Sequence, residues 1–385
     1  MVPQKPCPHY PECAGCALIG RPYGAQLVHK RASVQAALAR YPSLAAVEVL
    51  EVVGSPSAFG YRNQAKLVVR HTRGGLLLGI YQPGSHRVID IRHCPVHHPL
   101  IAAVLPRLAE LLERHALPIY DERSRQGLLR YVIVRASLWT KQVQVILVTS
   151  ERALPAGREL VRALRRIRGV ASVVQNINPT AGNVIIGPQF VALDGPLDLL
   201  ERIGELKLKS RAGAFLQANI PVARKVYERV RQWADPAPDD VAIDLYCGVG
   251  AISFQLATAA SWVAGIEESP LAVLDAKANT RLNGYHNVRF HAGDTAVLLP
   301  AIAAQCERVD LITLNPPRQG ASEATRRAAL ACAPRRVVYV SCDPATLARD
   351  LDWFATHGYH TTAIQPYDML PQTEHVECVA LLSRT

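Results

Sequence analysis

Three short segments in the second half of the chain carry residue types that could do chemistry on a nucleotide. Asp244-Leu-Tyr-Cys-Gly-Val-Gly250 follows an apolar run that reads as a strand and opens a helical one. Its glycines let backbone approach a ligand closely, and Glu267, ending the next apolar run, can accept hydrogen bonds from ribose hydroxyls. The spacing lacks the third glycine of a dinucleotide fingerprint, so alone the loop could be no more than a tight strand-to-helix turn. Asn315-Pro-Pro-Arg318 sits at the carboxyl end of a further strand, the place where open α/β sheets bind ligands. Tyr339-Val-Ser-Cys342 brings a thiol to the same sheet edge. A free cysteine is most often a small buried hydrophobe, but Pro344 starts a helix immediately afterwards, and a helix N-terminus favours thiolate.

A second constellation lies at the other end of the chain. Cys7-x5-Cys13-x2-Cys16 is followed much later by Cys94, in Arg92-His-Cys-Pro95. A cytosolic address argues against disulfides. Four-cysteine zinc sites usually show two Cys-x2-Cys pairs, and here there is one, so the spacing leaves zinc and iron both open. His9, His93, His97 and His98 are alternative ligands only if a cysteine fails. Cys247, Cys306, Cys332 and Cys378 read as buried thiols.

The elements that must position these residues follow from texture. At 385 residues the chain is long enough for two or three domains. It is 49% hydrophobic and 19% charged, with no stretch long and apolar enough for a membrane span and no apolar segment near Met1 to suggest a secretory signal, so a cytoplasmic protein is expected. Residues 1–200 hold 24 Lys+Arg against 12 Asp+Glu and residues 201–385 hold 19 against 20, which is +12 and −1 of the net +11. That asymmetry predicts a basic domain over 1–200 that meets a polyanion and a near-neutral domain over 201–385 with another task. The first 23 residues are too loop-like to pack by themselves. From about 47 to 198 the pattern is β-rich: Gln64 to Arg70, Leu76 to Tyr81, Arg87 to Ile91, Tyr131 to Ser137 and Gln142 to Thr149 read as strands, with helices over Pro99 to His115 and Pro155 to Arg168. After about Leu206 short apolar strands alternate with helices, which predicts a mostly parallel, doubly wound sheet. The last two strands, near Thr361 to Gln365 and Cys378 to Leu382, have no helix between them and should pair antiparallel.

That order, with its antiparallel last strand, resembles the class I S-adenosylmethionine (SAM) methyltransferases, and Asp244 to Gly250 resembles their SAM loop, with Glu267 where they bind the ribose. Ser341-Cys-Asp-Pro-Ala-Thr-Leu-Ala-Arg-Asp350, Asn315-Pro-Pro-Arg318 and His375-Val-Glu377 together resemble the RNA uracil-C5 methyltransferases, which make 5-methyluridine in 23S rRNA and tRNA. Nitrogen methyltransferases have an aromatic residue where this chain has Arg318. The resemblance implies Cys342 as nucleophile and Glu377 as base. Phe215-Leu-Gln-Ala-Asn219 matches the family's Phe-x-Gln-x-Asn and implies Gln217 as a SAM contact, with Tyr246, Glu267 and Asn315 beside it. It further implies a [4Fe-4S] cluster on Cys7, Cys13, Cys16 and Cys94, carried by an N-terminal β-rich α+β domain. Asn315, where many members have Asp, and a start directly at the cysteines, without the N-terminal oligonucleotide-binding domain, resemble the branch acting on 23S rRNA uridine 747.

The implied chemistry needs these residue types. Uracil C5 is too weakly nucleophilic to attack SAM unassisted, so a thiolate must add at C6, and a base must then remove the C5 proton. The expectation is therefore SAM-dependent methylation of uridine C5 in structured RNA, 23S rRNA first and tRNA second, with no obligate protein partner and no membrane. A non-catalytic iron-sulfur RNA-binding or sensor protein is the alternative of another class. Arg62, Lys66, Arg70 and the Arg165-Arg-Ile-Arg168 run are the expected phosphate contacts.

Overall fold

The computed structural model describes residues 7–182 and 184–384. It divides into two compact units: Met1–Gly20, Ser57–Glu201 and Ser210–Gly213 form the first, and Arg21–Pro56, Arg202–Lys209 and Ala214–Thr385 the second. Residues 1–6 of the cysteine segment lie outside the described residues.

The first unit is built on a seven-stranded sheet, in the order Val88–Asp90, Gly75–Tyr81, Gln64–Thr72, Leu129–Ala136, Val143–Thr149, Val170–Ile177, Gln189–Asp194. All neighbours are antiparallel except Val143–Thr149 and Val170–Ile177, which are parallel and joined through helix Gly157–Arg165. A parallel pair needs such a crossover. The two central strands, Leu129–Ala136 and Val143–Thr149, are β-branched-rich and buried along their whole length. Helices Pro99–Arg114 and Gly157–Arg165 bury Leu105, Leu108, Leu160 and Leu164 in the core of this sheet.

The second unit holds an eight-stranded sheet, ordered Val288–Ala292, Trp262–Glu267, Val241–Leu245, Leu311–Leu314, Arg336–Ser341, Glu377–Arg384, Tyr359–Tyr367, Glu48–Val49. The five strands from Val288–Ala292 to Arg336–Ser341 are mutually parallel. Glu377–Arg384 runs antiparallel to both of its neighbours, as expected. Strand order reverses between Val241–Leu245 and Leu311–Leu314, which opens a crevice at their carboxyl ends. Helices Thr295–Ala303 and Glu323–Ala331 fill crossovers to which the sequence reading assigned no element.

The units do not follow a single cut at residue 200. Residues 21–56 belong with the second unit because Glu48–Val49 adds in parallel to the edge strand Tyr359–Tyr367, and helix Tyr23–Leu38 buries Val34 and Leu38 in that unit's core. The same helix buries Gln26 and Lys30. Lys30 Nζ bonds Asp368 and the Leu370 carbonyl, while the Gln26 amide donates to Gln372 Oε1 and accepts from the Gln372 N–H, both at 3.0 Å. Helix Tyr23–Leu38 thereby holds the loop that leads into Glu377. No helix among the described residues is long and apolar enough to cross a membrane.

Candidate active site

Asp244, next to last in strand Val241–Leu245, is fully buried, accepting from Thr313 Oγ1 and Ser253 Oγ at 2.6 Å each, and burial pushes its carboxyl up to about 6. The bonds tie strand Val241–Leu245 to its sheet neighbour Leu311–Leu314 and to helix Ala251–Leu256. Tyr246 then turns into the left-handed region at φ 60°, with its hydroxyl 3.2 Å from Thr325 Oγ1. Gly250, at φ 92°, cannot carry a side chain: a Cβ there would lie 2.6 Å from Phe290. Gly248, by contrast, faces open space. Glu267 is oriented by two backbone donors, Gly248 N–H at 3.0 Å and Ser269 N–H at 2.9 Å, one to each carboxylate oxygen. Each oxygen keeps a lone pair for a ligand hydroxyl.

Cys342 and Glu377 come together through sheet register. Ser341 pairs with Cys378 across the antiparallel strands, so the residue after Ser341 and the residue before Cys378 lie side by side at one sheet edge. Glu377 is buried, and desolvation pushes its carboxyl up to about 7. The thiol does not behave as its place before a helix suggests. Burial raises the Cys342 pKa above the usual thiol value, Glu377 raises it further, and Arg318 lowers it. The first free N–H groups of helix Pro344–Ala355, those of Ala345 and Thr346, are taken by the Asp343 carboxylate at 3.0 Å each.

Cys342, Glu377, Gln217, Tyr246, Glu267 and Asn315 all line one cavity of about 570 Å³, within the usual range for ligand sites. Every lining residue belongs to the second unit. The cavity also takes in Phe215, Tyr227 and Arg318, to which the sequence reading gave no role in the site. Phe215 stands in the quoted Phe-x-Gln-x-Asn run and is 71% exposed, a large apolar side chain left in the open. Tyr227 lies among the buried Val222, Val226 and Val230 of helix Ile220–Ala234, where its spacing reads as core.

The profile of the tRNA (Uracil-5-)-methyltransferase family matches residues 22–385. The chain belongs to this family. An uncharacterized RNA methyltransferase of Geobacter sulfurreducens is 43% identical over 380 residues, covering 98% of this chain and 77% of that protein. Another, from Halalkalibacterium halodurans, is 40% identical over 380 residues, 98% and 83%. Among solved structures, the Pyrococcus abyssi tRNA (uracil-54, C5)-methyltransferase in complex with S-adenosyl-L-homocysteine superposes with a TM-score of 0.76 at 26% identity, over 97% of this chain and 86% of that one. The chain is thus a SAM-dependent RNA methyltransferase with the α/β fold of that enzyme class. The open glycine at 248 and the oriented Glu267 carboxylate suit the cavity to an adenosine-bearing ligand.

The first unit of this uracil methyltransferase carries the cysteine segment. Among the described residues no group of three or more His, Cys, Asp or Glu side chains is close enough to hold a metal ion. The thiols are still near enough to act on one another: burial pushes Cys16 up to about 12, and Cys94, Cys13 and Cys7 each add to the rise. Of the other thiols, Cys247 and Cys378 are buried as expected, whereas Cys306 and Cys332 are half-buried. Lys66, Arg166 and Arg168 are exposed. Arg70 and Arg165 are already paired, with Asp121 at 3.3 Å and Asp194 at 3.2 Å, and have less to offer a phosphate.

Proposed function

We propose that this enzyme methylates C5 of a uridine in 23S rRNA, in the cytoplasm, with Cys342 adding to C6 and Glu377 removing the C5 proton. The observation that carries the reading is the convergence of a thiol, a carboxylate and the SAM-loop residues on one cavity. SAM, held by Gln217, Tyr246, Glu267 and Asn315, would supply an electrophilic methyl group and leave as S-adenosylhomocysteine, the S–CH3 pair returning to sulfur. The Cys342 thiolate forms a bond to C6, and the electron pair displaced from the C5=C6 double bond makes C5 the nucleophile for that methyl. C5 then carries both methyl and hydrogen. Glu377 takes the hydrogen as a proton, the freed pair re-forms C5=C6, and the C6–S bond breaks to return the thiolate. A carboxyl raised to about 7 is a base matched to neutral pH.

Asn315 and the resemblance to the uridine-747 branch support 23S rRNA. A tRNA uridine is the second reading, favoured by the name of the family and by the Pyrococcus neighbour. The test is methyl incorporation from labelled SAM into 23S rRNA and into bulk tRNA, both from a strain deleted for the gene, followed by mapping of 5-methyluridine. Label in a single 23S uridine is expected. Label confined to tRNA overturns the target, and label in any product other than 5-methyluridine overturns the reaction.

In this reading Cys7, Cys13, Cys16 and Cys94 hold a [4Fe-4S] cluster, which is wider than one ion and asks for thiolate donors alone. The cluster would tie the cysteine segment to the first unit's sheet and take no part in methyl transfer. Protein purified without oxygen should be brown, with about four irons per chain and little zinc. Cys94→Ser should lose the colour and open the cysteine segment to protease. Stoichiometric zinc in fresh protein would sink the assignment.

A further inference from the structure

The hairpin tip between strands Leu129–Ala136 and Val143–Thr149 carries an aromatic residue that neither the core nor the proposed reaction uses. Trp139 stands 40% exposed there. Its backbone is held by a buried carboxylate: Glu201, 1% exposed, accepts the Leu138 N–H on one oxygen at 2.6 Å and the Trp139 N–H on the other at 3.0 Å. The Thr140 N–H donates to the buried Ser137 hydroxyl at 3.0 Å, and the Ser137 N–H closes the loop on the Gln142 carbonyl at 2.9 Å. A buried carboxylate is costly unless its oxygens are met, and this one is met by the loop that presents Trp139. Lys141 comes next but one, at φ 59°, a left-handed position that glycine or asparagine takes at less cost.

The same end of the sheet gathers cations. The Val143 N–H donates to the Gly169 carbonyl at 2.7 Å, which sets the turn over 166–169 against the segment 141–143. Lys141, Arg166 and Arg168 are exposed, and none of them has a carboxylate partner among the described residues, unlike Arg165, which meets Asp194 at 3.2 Å. We propose that Trp139 is a stacking platform for one unpaired base of the RNA, outside the catalytic cavity, with Lys141 and Arg168 on the neighbouring phosphates. The inference rests on the reading of the first unit as the part that meets RNA. A single exposed apolar side chain is ordinary, but an indole on a rigid tip beside unpaired cations has the two parts of a single-strand site, a π-face and a positive track. Ordering it costs little, since the side chain turns about only two bonds. Every base has a π-face, whereas bases inside a duplex are already stacked on their neighbours. The platform therefore favours RNA with an unpaired stretch and reads no sequence.

The test titrates the full chain with fluorescein-labelled oligouridylate, whose bases stack little on one another, and with a blunt RNA duplex, by anisotropy at several salt concentrations. Trp139→Ala should weaken oligouridylate binding about tenfold, within the loss seen per stacked base. It should weaken duplex binding less than about twofold and leave both salt slopes unchanged. Trp139→Phe, which keeps a ring, should recover part of the loss. Lys141→Gln and Arg168→Gln should weaken both RNAs and lower the oligouridylate salt slope by about 0.7 each. Unlabelled oligouridylate should quench the indole fluorescence of the unmutated chain more than that of Trp139→Phe, a difference that a merely structural role would not produce. If Trp139→Ala fails to fold, that quenching difference decides. Equal oligouridylate affinity for Trp139→Ala and the unmutated chain, an equal loss for both RNAs, or equal quenching overturns the proposal. If the unmutated chain binds neither RNA in a salt-dependent way, the reading of the first unit is wrong, and the platform with it.

Discussion

Glu377→Gln is expected to leave the enzyme covalently attached to its RNA. In the proposed mechanism addition of Cys342 and arrival of the methyl both precede loss of the C5 proton, so a variant without the proposed base should complete them and stop. A band shifted on a denaturing gel, carrying label from methyl-labelled SAM, is the expected product, with turnover reduced about 10²- to 10⁴-fold as for loss of other general bases. Cys342→Ala should give neither band nor product while binding SAM almost normally, since the role proposed for the thiol is on the base and not on the cofactor. RNA with 5-fluorouridine at the target should trap the unmutated enzyme in the same linkage, because fluorine does not leave as a proton. Glu374, exposed and outside the cavity, is the control and should turn over normally as Gln. The pH dependence follows from the buried carboxyl. As the proposed base Glu377 acts only when ionised, so release of a preformed adduct should fall about tenfold per pH unit below about 7 and level off above it. Normal turnover by Glu377→Gln, or flat release across pH 5 to 8, would show that another group takes the proton.

Lys30→Met should cost about 3 to 5 kcal/mol of stability, the range for stranding one partner of a buried ion pair. The Lys30 and Asp368 side chains are both fully buried. Burial lowers the Lys30 pKa, and the Asp368 carboxylate works against that fall. Asp368 also receives the Tyr23 hydroxyl at 2.8 Å, and Lys30 donates to the Leu370 carbonyl at 3.1 Å. Removing the ammonium leaves a carboxylate with one neutral donor and a carbonyl with none from Lys30. Urea unfolding of the full chain, followed by tryptophan fluorescence, measures the loss. The double variant Lys30→Met/Asp368→Leu should recover most of it, because a well-packed apolar pair can match a buried ionic one. Because this loop runs into His375 and Glu377, adduct release by Lys30→Met should slow as well, while adduct formation changes less. A midpoint unchanged within about 0.5 kcal/mol would mean that the pair contributes nothing, as many exposed pairs do.

The chemistry-bearing loops were legible because each is short and bounded by a strong local pattern. Parallel strands covered on both faces read as continuous apolar runs, and the glycines of Asp244 to Gly250 mark the turn, at whose end Gly250 leaves no room for a side chain. The alternation of strand and helix after Leu206 carried the doubly wound topology, down to the antiparallel final strand. Helix Tyr23–Leu38 gave no such signal. Its inward stripe is Gln26, Lys30, Val34 and Leu38, half of it polar, so the apolar period that announces a helix is missing, and its partners Asp368 and Gln372 lie more than 300 residues away. The thiol misled for a related reason. A helix start beside Cys342 is a local feature, whereas the burial, the Glu377 charge and the Arg318 guanidinium that set its ionisation come from three separate strand ends. Residue types and spacing thus determined which groups could react and which cofactor loop they accompany. Tertiary structure alone decided that Ser341 pairs with Cys378, which sets Glu377 beside Cys342, because strand register depends on packing between segments distant in sequence.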